Sequence, residues 1–215
     1  NDLYRNDGDS LFTKVTDLTF FFFFRSSTGS SWGDVNNDGL LDLFVANYGN
    51  QNNQLFINQG DGQFELKAGG DLSTDGGCSF GSSFADFDND GDLDLVVMNG
   101  FCNGSLENFL YKNDGIGNFT RDTESITDLS TGCSFGGAWG DLDNDGFLDL
   151  VIANCKGDQT LQPFNSLFRN LGNDNHWIKF RLEGVVSNRS AIGAKVRVKA
   201  TIAGEEVWQV RELSA

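Results

Sequence analysis

An acidic segment occurs three times in this chain and restricts its fold more than any other feature. The segments read DVNNDGLLDL at 34–43, DFDNDGDLDL at 86–95 and DLDNDGFLDL at 141–150. Their first aspartates are 52 and 55 residues apart. A period of this size is typical of repeat architectures, in which each repeat is one supersecondary unit. We therefore expect one structural unit to recur at least three times.

A second signature follows each acidic segment and supports the same division. It reads NQLFINQGDGQF at 53–64, NFLYKNDGIGNF at 108–119 and NSLFRNLGNDNHW at 165–177. The first residues of the chain, NDLYRNDGDSLF, are another copy with no acidic segment before it. The pattern predicts the tail of one repeat followed by three nearly complete repeats.

Each repeat has the pattern of short β-strands. In the second, SFGSSFAD and LDLVVMN flank the acidic segment, and NFLYKN and GNFTRD form a predicted hairpin around Asn113–Gly117. Four short strands in about 50 residues are typical of a β-propeller blade. The predicted fold is all-β, a partial β-propeller of about three and a half four-stranded blades, with Trp32 and Trp139 packing between blades. The start of a small C-terminal β domain follows, with strands at Trp177–Leu182, Ala194–Ala200 and Glu205–Val210.

The predicted boundaries follow these signatures. Repeats occupy 1–173, as a blade tail at 1–18 and repeats near 19–70, 71–125 and 126–173, and the C-terminal β segment occupies 174–215. Three and a half blades are too few for a large propeller, and an open stack exposes apolar blade faces. We expect the remaining blades to belong to a longer chain. Five consecutive phenylalanines, Phe20–Phe24, cannot all face inward from a strand.

The acidic segments have the spacing of a cation-binding loop. Side-chain oxygens recur at positions 1, 3, 5 and 9, Gly at position 6 allows a positive φ, and position 7 adds a backbone carbonyl. Five to seven hard oxygen ligands suit Ca²⁺ better than Mg²⁺. The predicted ligands of about three sites are Asp34, Asn36, Asp38, Leu40 and Asp42; Asp86, Asp88, Asp90, Asp92 and Asp94; and Asp141, Asp143, Asp145, Phe147 and Asp149.

Two alternatives compete with this interpretation. An EF-hand requires a bidentate Glu at position 12, where this chain has Val45, Val97 and Ile152. Three solvated acidic turns are the other alternative, and three copies with identical spacing argue against it. The first loop has Asn36 where the others have Asp88 and Asp143, so we expect it to bind Ca²⁺ most weakly.

These loops resemble the FG-GAP/VCBS repeat of integrin α-subunit propellers and of many secreted bacterial proteins. The resemblance rests on the acidic loop with Phe-Gly six residues ahead of it, at Phe80-Gly81 and Phe135-Gly136. The first repeat departs from it, with Thr28-Gly29 at this place. The segment NHWIKFRLEGVVSNRSAIGAKVRVKA at 175–200 resembles the start of the ASPIC/UnbV domain. That resemblance implies a chain similar to the cartilage acidic protein family.

The cysteines provide an internal test of the repeat. Cys78 and Cys133 precede their loops by eight residues, and Cys102 and Cys155 follow them. The first repeat has neither cysteine, as pairing within a repeat predicts, so we expect Cys78–Cys102 and Cys133–Cys155 among the three possible connectivities. Buried free thiols are the alternative. Disulfides and weak calcium sites both favour an extracellular, cell-surface or periplasmic location.

Composition excludes several functions. A net charge of −16 argues against nucleic acid as a binding partner. The sequence has no run of 18 apolar residues, so we expect no insertion into a membrane. The single histidine, His176, leaves little scope for His-dependent catalysis, so we expect no enzyme. The predicted function is an extracellular calcium-binding adhesion or recognition module with an unidentified protein or glycan partner. The alternative is the non-catalytic propeller part of a secreted polysaccharide-degrading enzyme.

Overall fold

The chain folds as a series of antiparallel β-sheets that follow the sequence repeats. The computed structural model describes residues 2–16, 25–100, 107–125, 133–155, 164–186, 188–202 and 204–213. The strands are β1 Leu3–Gly8, β2 Leu11–Val15, β3 Ser27–Gly33, β4 Asp42–Asn47, β5 Gln54–Gly60, β6 Gln63–Lys67, β7 Ser79–Ala85, β8 Asp94–Asn99, β9 Phe109–Asn113, β10 Phe119–Arg121, β11 Ser134–Gly140, β12 Asp149–Asn154, β13 Ser166–Phe168, β14 Lys195–Ile202 and β15 Glu205–Glu212. A 3₁₀ turn at Asp71–Ser73 precedes β7.

The sheets confirm the predicted all-β fold of partial-propeller type. The first two full repeats form four-stranded meanders, β3-β4-β5-β6 and β7-β8-β9-β10. The third contributes β11-β12-β13 within the described ranges, and β1-β2 forms the tail of the preceding repeat. The hairpin predicted around Asn113–Gly117 joins β9 and β10 in antiparallel register.

Side-chain alternation along the second strand of each repeat explains how the sheets stack. On β8, Leu95 and Val97 belong to the apolar cluster shared with the first repeat. Val96 and Met98 belong to the cluster shared with Leu150 and Ile152 of the third repeat. Because successive strand residues face opposite sides, a continuous apolar strand must be covered on both faces. The run LVVM therefore places β8 between two neighbouring blades.

The glycines at the Phe-Gly position of the first two repeats lie in close contact with the next repeat. A Cβ atom on Gly81 would lie 2.6 Å from the carbonyl oxygen of Phe135, and one on Gly29 would lie 2.6 Å from that of Phe80. Both distances are too short for a real Cβ, so only glycine fits. The Phe80 and Phe135 rings also stack edge to face, with centroids 4.9 Å apart. The first repeat keeps the glycine that this contact requires, although it has Thr28 in place of phenylalanine.

The two tryptophans differ in their packing. Trp139 stacks on Phe87 of the preceding repeat, with ring centroids 5.9 Å apart and planes 11° from parallel. This confirms the prediction that it packs between blades. Trp32 makes an edge contact with Phe64 of its own repeat and remains 45% exposed.

A disulfide between Cys133 and Cys155 closes the third repeat, as predicted. It joins the residue before β11 to the residue after β12, where Cys155 N–H also donates to the Cys133 carbonyl. The predicted Cys78–Cys102 pair includes Cys102, which lies outside the described residues. The phenylalanine run Phe20–Phe24 lies outside them as well.

The described part of the C-terminal segment contains one hairpin, β14-β15, paired from Lys195↔Glu212 to Ile202↔Glu205. Two of the three predicted strands are therefore confirmed, with longer bounds. The strand predicted at Trp177–Leu182 is wrong: these residues have no strand assignment. Alternation of apolar and charged residues suggested a strand, but the stretch runs beside the acidic loops and the hairpin without pairing to a strand among the described residues.

Candidate metal centre

The three acidic loops occupy equivalent places, each between the first and second strands of its repeat. Asp34, Asp86 and Asp141 directly follow β3, β7 and β11. Asp42, Asp94 and Asp149 are the first residues of β4, β8 and β12, as expected from the spacing. The position-6 glycines, Gly39, Gly91 and Gly146, have φ of 91°, 101° and 90°. The predicted ligands of each loop therefore lie in one tight turn at a strand junction.

The position-9 aspartates hold the loops to the sheet. Asp94 Oδ1 accepts the backbone N–H of Asn113 at 3.0 Å, and Asp94 Oδ2 accepts that of Phe87 at 3.4 Å. Asp42 and Asp149 accept the equivalent pairs of N–H groups. All three aspartates are buried. Since each carboxylate oxygen has a second lone pair, these residues can close the turn and still face a cation.

The hydrogen bonds of the position-1 aspartates differ between the first loop and the other two. Asp86 Oδ1 and Asp141 Oδ1 are buried and accept no hydrogen bond. In the first loop, both Asp34 oxygens accept backbone N–H groups, from Asp38 at 3.1 Å and Gly39 at 2.9 Å. A buried carboxylate oxygen without a partner is costly, and a cation would compensate it. The donor set thus fits a hard cation in two of the three loops.

The carboxylates of these two loops also converge. Asp86, Asp88 and Asp94 have oxygens within 4.8 Å of one another, as do Asp141, Asp143 and Asp145. The first loop contributes no such group among the described residues. There the Asn36 amide donates to Asp38 at 2.9 Å, whereas the second loop has the carboxylate of Asp88 at the same position.

The remaining predicted ligands lie in the same turns. Position-5 aspartates accept the position-7 N–H in every copy: Asp38 from Leu40 at 2.8 Å, Asp90 from Asp92 at 2.9 Å, and Asp145 from Phe147 at 2.9 Å. Asp92 Oδ1 accepts a side-chain amide from the first loop. Asp143 pairs with Arg169 at 2.5 Å.

Burial of these acids changes their proton affinity. Burial, together with the negative charges of Asp88 and Asp90, raises the pKa of Asp94 to about 8. Burial likewise raises the pKa of Asp86, Asp90 and Asp42 to about 6. Desolvation and like charge both disfavour the ionised form. The ion-free second loop at neutral pH therefore holds its charges at a cost that either a proton or a cation relieves.

Asparagines connect each loop to the next, and the sequence interpretation missed them. Asn37 Nδ2 donates to Asp92 Oδ1 at 2.8 Å, and Asn89 Nδ2 donates to the Gly146 carbonyl at 3.1 Å. Position 4 is Asn in all three copies and adopts positive φ, at Asn37, Asn89 and Asn144. That invariance within the chain was a signal for a defined role. The loops are joined in a row along the stacked repeats.

Comparison with known proteins identifies the type of repeat. The FG-GAP-like repeat family matches residues 34–97 and 101–152. The chain is also 26% identical over 193 residues to cartilage acidic protein 1 of Xenopus tropicalis. That alignment covers 83% of this chain and 28% of the relative. The chain thus spans little more than a quarter of the length of that protein.

Proposed function

The chain belongs to the FG-GAP-like repeat family, and from this premise we propose that it is an extracellular recognition module whose acidic loops hold structural Ca²⁺. The observation that carries the proposal is the pair of unpartnered, buried oxygens at equivalent places, Asp86 Oδ1 and Asp141 Oδ1. One such oxygen is a local defect, whereas two at the same loop position indicate a shared requirement for a cation.

The proposed ligands are those of the sequence pattern, in about three sites. Bound Ca²⁺ would supply positive charge to loops that otherwise concentrate like charges. The protein's own residues set the geometry: the position-6 glycine turns the loop, and the position-9 aspartate fixes its end to two backbone N–H groups. Oxygen-only donors suit Ca²⁺ rather than Mg²⁺, which requires stricter octahedral geometry.

An extracellular location is proposed on three grounds. The Cys133–Cys155 disulfide is typical of oxidising compartments. Extracellular calcium modules bind at about 10⁻⁴–10⁻³ M, a concentration range that the cytosol does not supply. The relative is named for cartilage, a tissue with an extracellular matrix. Within the described ranges, no helix combines the length and apolar character needed to cross a bilayer.

A recognition role without catalysis is proposed for the repeats. The clustered carboxylates are assigned to cation binding, and the membership of a repeat family favours a non-catalytic module. The proposed partner is an extracellular protein or glycan. We further propose that residues 1–173 form the repeat domain and that 174–215 are the beginning of an ASPIC/UnbV-like domain, with further blades supplied by a longer chain.

Calorimetric titration with Ca²⁺ tests the proposal. Asp86→Asn and Asp141→Asn should each remove or weaken one site without unfolding the chain, because an amide oxygen retains the shape but not the charge. The matched control is Asp61→Asn, at an exposed turn between β5 and β6. No heat of Ca²⁺ binding to the folded protein, or equal binding by all variants, would contradict the proposal.

A further inference from the structure

The C-terminal segment, defined here as the described residues from 174 to 213, lies across all three acidic loops. The position-6 glycine of each loop faces one of its side chains. A Cβ on Gly39 would lie 3.0 Å from the Arg197 guanidinium. A Cβ on Gly91 would overlap the Gln209 side chain, and one on Gly146 would overlap the Trp177 ring. The glycines that shape the loops are therefore also the surface on which this segment rests.

Hydrogen bonds to loop carbonyls fix the segment over the second loop. The Gly91 carbonyl accepts Gln209 Nε2 at 2.9 Å and Arg211 Nη2 at 3.3 Å. The Asp88 carbonyl accepts Asn175 Nδ2 at 2.9 Å. These contacts are made to the loop backbone, so they depend on the loop conformation rather than on its carboxylates.

Two basic residues of the segment approach position-1 aspartates. Arg211 Nη2 lies 3.7 Å from Asp86 Oδ2, and Lys179 Nζ lies 3.4 Å from Asp141 Oδ2. Both distances are long for charge-assisted hydrogen bonds, which are typically about 2.7–2.9 Å. The ion pairs thus add attraction without saturating the aspartates, whose Oδ1 atoms are without partners.

The docking is confined to few contacts. A cleft of about 960 Å³ lies between the second loop and the segment, and its apolar lining includes Trp177, Phe180 and Val198. Since this space between loop and hairpin is open, the interface lacks a continuous apolar core. A docking free energy carried by a few polar contacts is small enough for ion binding to shift.

We propose that the acidic-loop face is a calcium-dependent docking surface for the C-terminal segment, held through Gln209 on Gly91 and Trp177 on Gly146. This inference rests on the proposed function, because it requires the loops to bind Ca²⁺. It adds that ion occupancy and docking of residues 174–213 stabilise each other.

The sign of the coupling follows from which contacts dominate. The second loop has five aspartates, so a divalent cation leaves it with a net negative charge that still attracts Arg211. The cation also relieves repulsion and restricts the loop to the conformation that presents the Asp88 and Gly91 carbonyls. The cation weakens the attraction of Arg211 for the loop, but in this proposal the hydrogen bonds to the fixed Asp88 and Gly91 carbonyls contribute more to the docking free energy. By linkage, docking must raise calcium affinity by the same factor.

Hydrogen exchange of the whole chain, with Ca²⁺ and with chelator, tests the coupling. An isolated two-stranded hairpin is at best marginally stable, so amides of β14 and β15 should exchange slowly only while the hairpin is docked. Ca²⁺ should slow their exchange about 5-fold or more. The Trp177→Ala, Gln209→Ala double variant should lose this effect and bind Ca²⁺ about 5-fold more weakly.

Val186→Ala is the control. Val186 belongs to the same segment but is 97% exposed, so it takes no part in the docking contacts. It should retain the calcium effect on exchange. If Ca²⁺ raises the unfolding temperature but leaves exchange in β14 and β15 unchanged or faster, the docking inference fails and the proposed function stands. If Ca²⁺ alters neither, the proposed function fails first.

Discussion

Asn113 joins two successive repeats, because its side-chain amide donates to the carbonyl of Val35 at 2.8 Å while its backbone N–H donates to Asp94 Oδ1 at 3.0 Å. Val35 is position 2 of the first loop, and Asp94 is position 9 of the second. Asn170 repeats the arrangement with the carbonyl of Phe87 and with Asp149. In the second and third repeats, an asparagine of the third strand or just after it therefore connects a loop to the loop before it.

Replacing Asn113 with Ala should lower the free energy of unfolding by about 1–3 kcal/mol, because two buried carbonyls, of Val35 and Leu93, lose their donor. It should also weaken calcium binding by both loops. Chemical denaturation and calorimetry measure the two effects. Asn118→Ala, at an exposed position in the same hairpin, is the control. A loss confined to one loop would contradict a connecting role.

Exchanging position 3 between the first two loops should exchange their affinities. Asn36→Asp adds the missing carboxylate and should tighten the first site, while Asp88→Asn should weaken the second. The unmodified first loop should release its ion first on chelation. Site occupancy can be followed by chemical shifts of Gly39 and Gly91 amides during titration. If the first loop is the tightest in the unmodified protein, charge does not set the order.

Without calcium, stability should fall as pH rises from about 6 to about 8. The pKa of Asp94 is about 8 in the folded chain and that of Asp86 about 6, against about 3.9 for an unfolded aspartate. The folded state thus binds more protons than the unfolded state in this window, so the free energy of unfolding decreases with rising pH.

Calcium should offset this loss of stability at high pH, because it competes with protons for the same carboxylate oxygens. The difference in unfolding temperature between calcium and chelator should be largest near pH 8 and shrink toward pH 6. Asp94→Asn, measured alongside, should flatten the pH dependence in chelator. A calcium effect that grows as pH falls would contradict the assignment of these acids.

Removing the Cys133–Cys155 disulfide should destabilise the third repeat by about 2–4 kcal/mol, since it closes a loop of 22 residues in the unfolded chain. The Cys133→Ser, Cys155→Ser variant should show this in chemical denaturation at saturating calcium. Calcium affinity of the second loop should change little. A large loss at the second loop, with the third unaffected, would contradict a local role for the disulfide.

Features of the fold and of the loops could be predicted from the sequence where the conformation of one short segment requires a particular residue type. The repeat period, the glycine at position 6 and the aspartate at the start of β4, β8 and β12 are each determined within one loop. The contacts of Asn113 and Asn170 were not predictable in the same way. Their partners, Val35 and Phe87, lie 78 and 83 residues away in the chain, and only the stacking of repeats brings them together.

In the C-terminal segment, by contrast, the sequence pattern predicted a strand that the structure lacks. Its alternation correctly predicted β14 and β15, which pair with each other over a short turn. The same alternation at Trp177–Leu182 predicted a strand that does not form. Alternation reports only which side chains face an apolar surface, and a strand also requires a partner backbone. Here Trp177 rests on Gly146, and the long-range contact replaces strand pairing.

Thermal unfolding of the chain with millimolar Ca²⁺, with Mg²⁺ and with chelator tests the central claim most directly. A ligand that binds only the native state stabilises it by RT ln(1 + [L]/Kd) at each site. The account predicts a clearly higher midpoint in Ca²⁺, little change in Mg²⁺, and a smaller calcium shift in Asp86→Asn and Asp141→Asn. A midpoint that is the same in Ca²⁺ and in chelator for the folded protein would mean that the acidic loops are solvated turns.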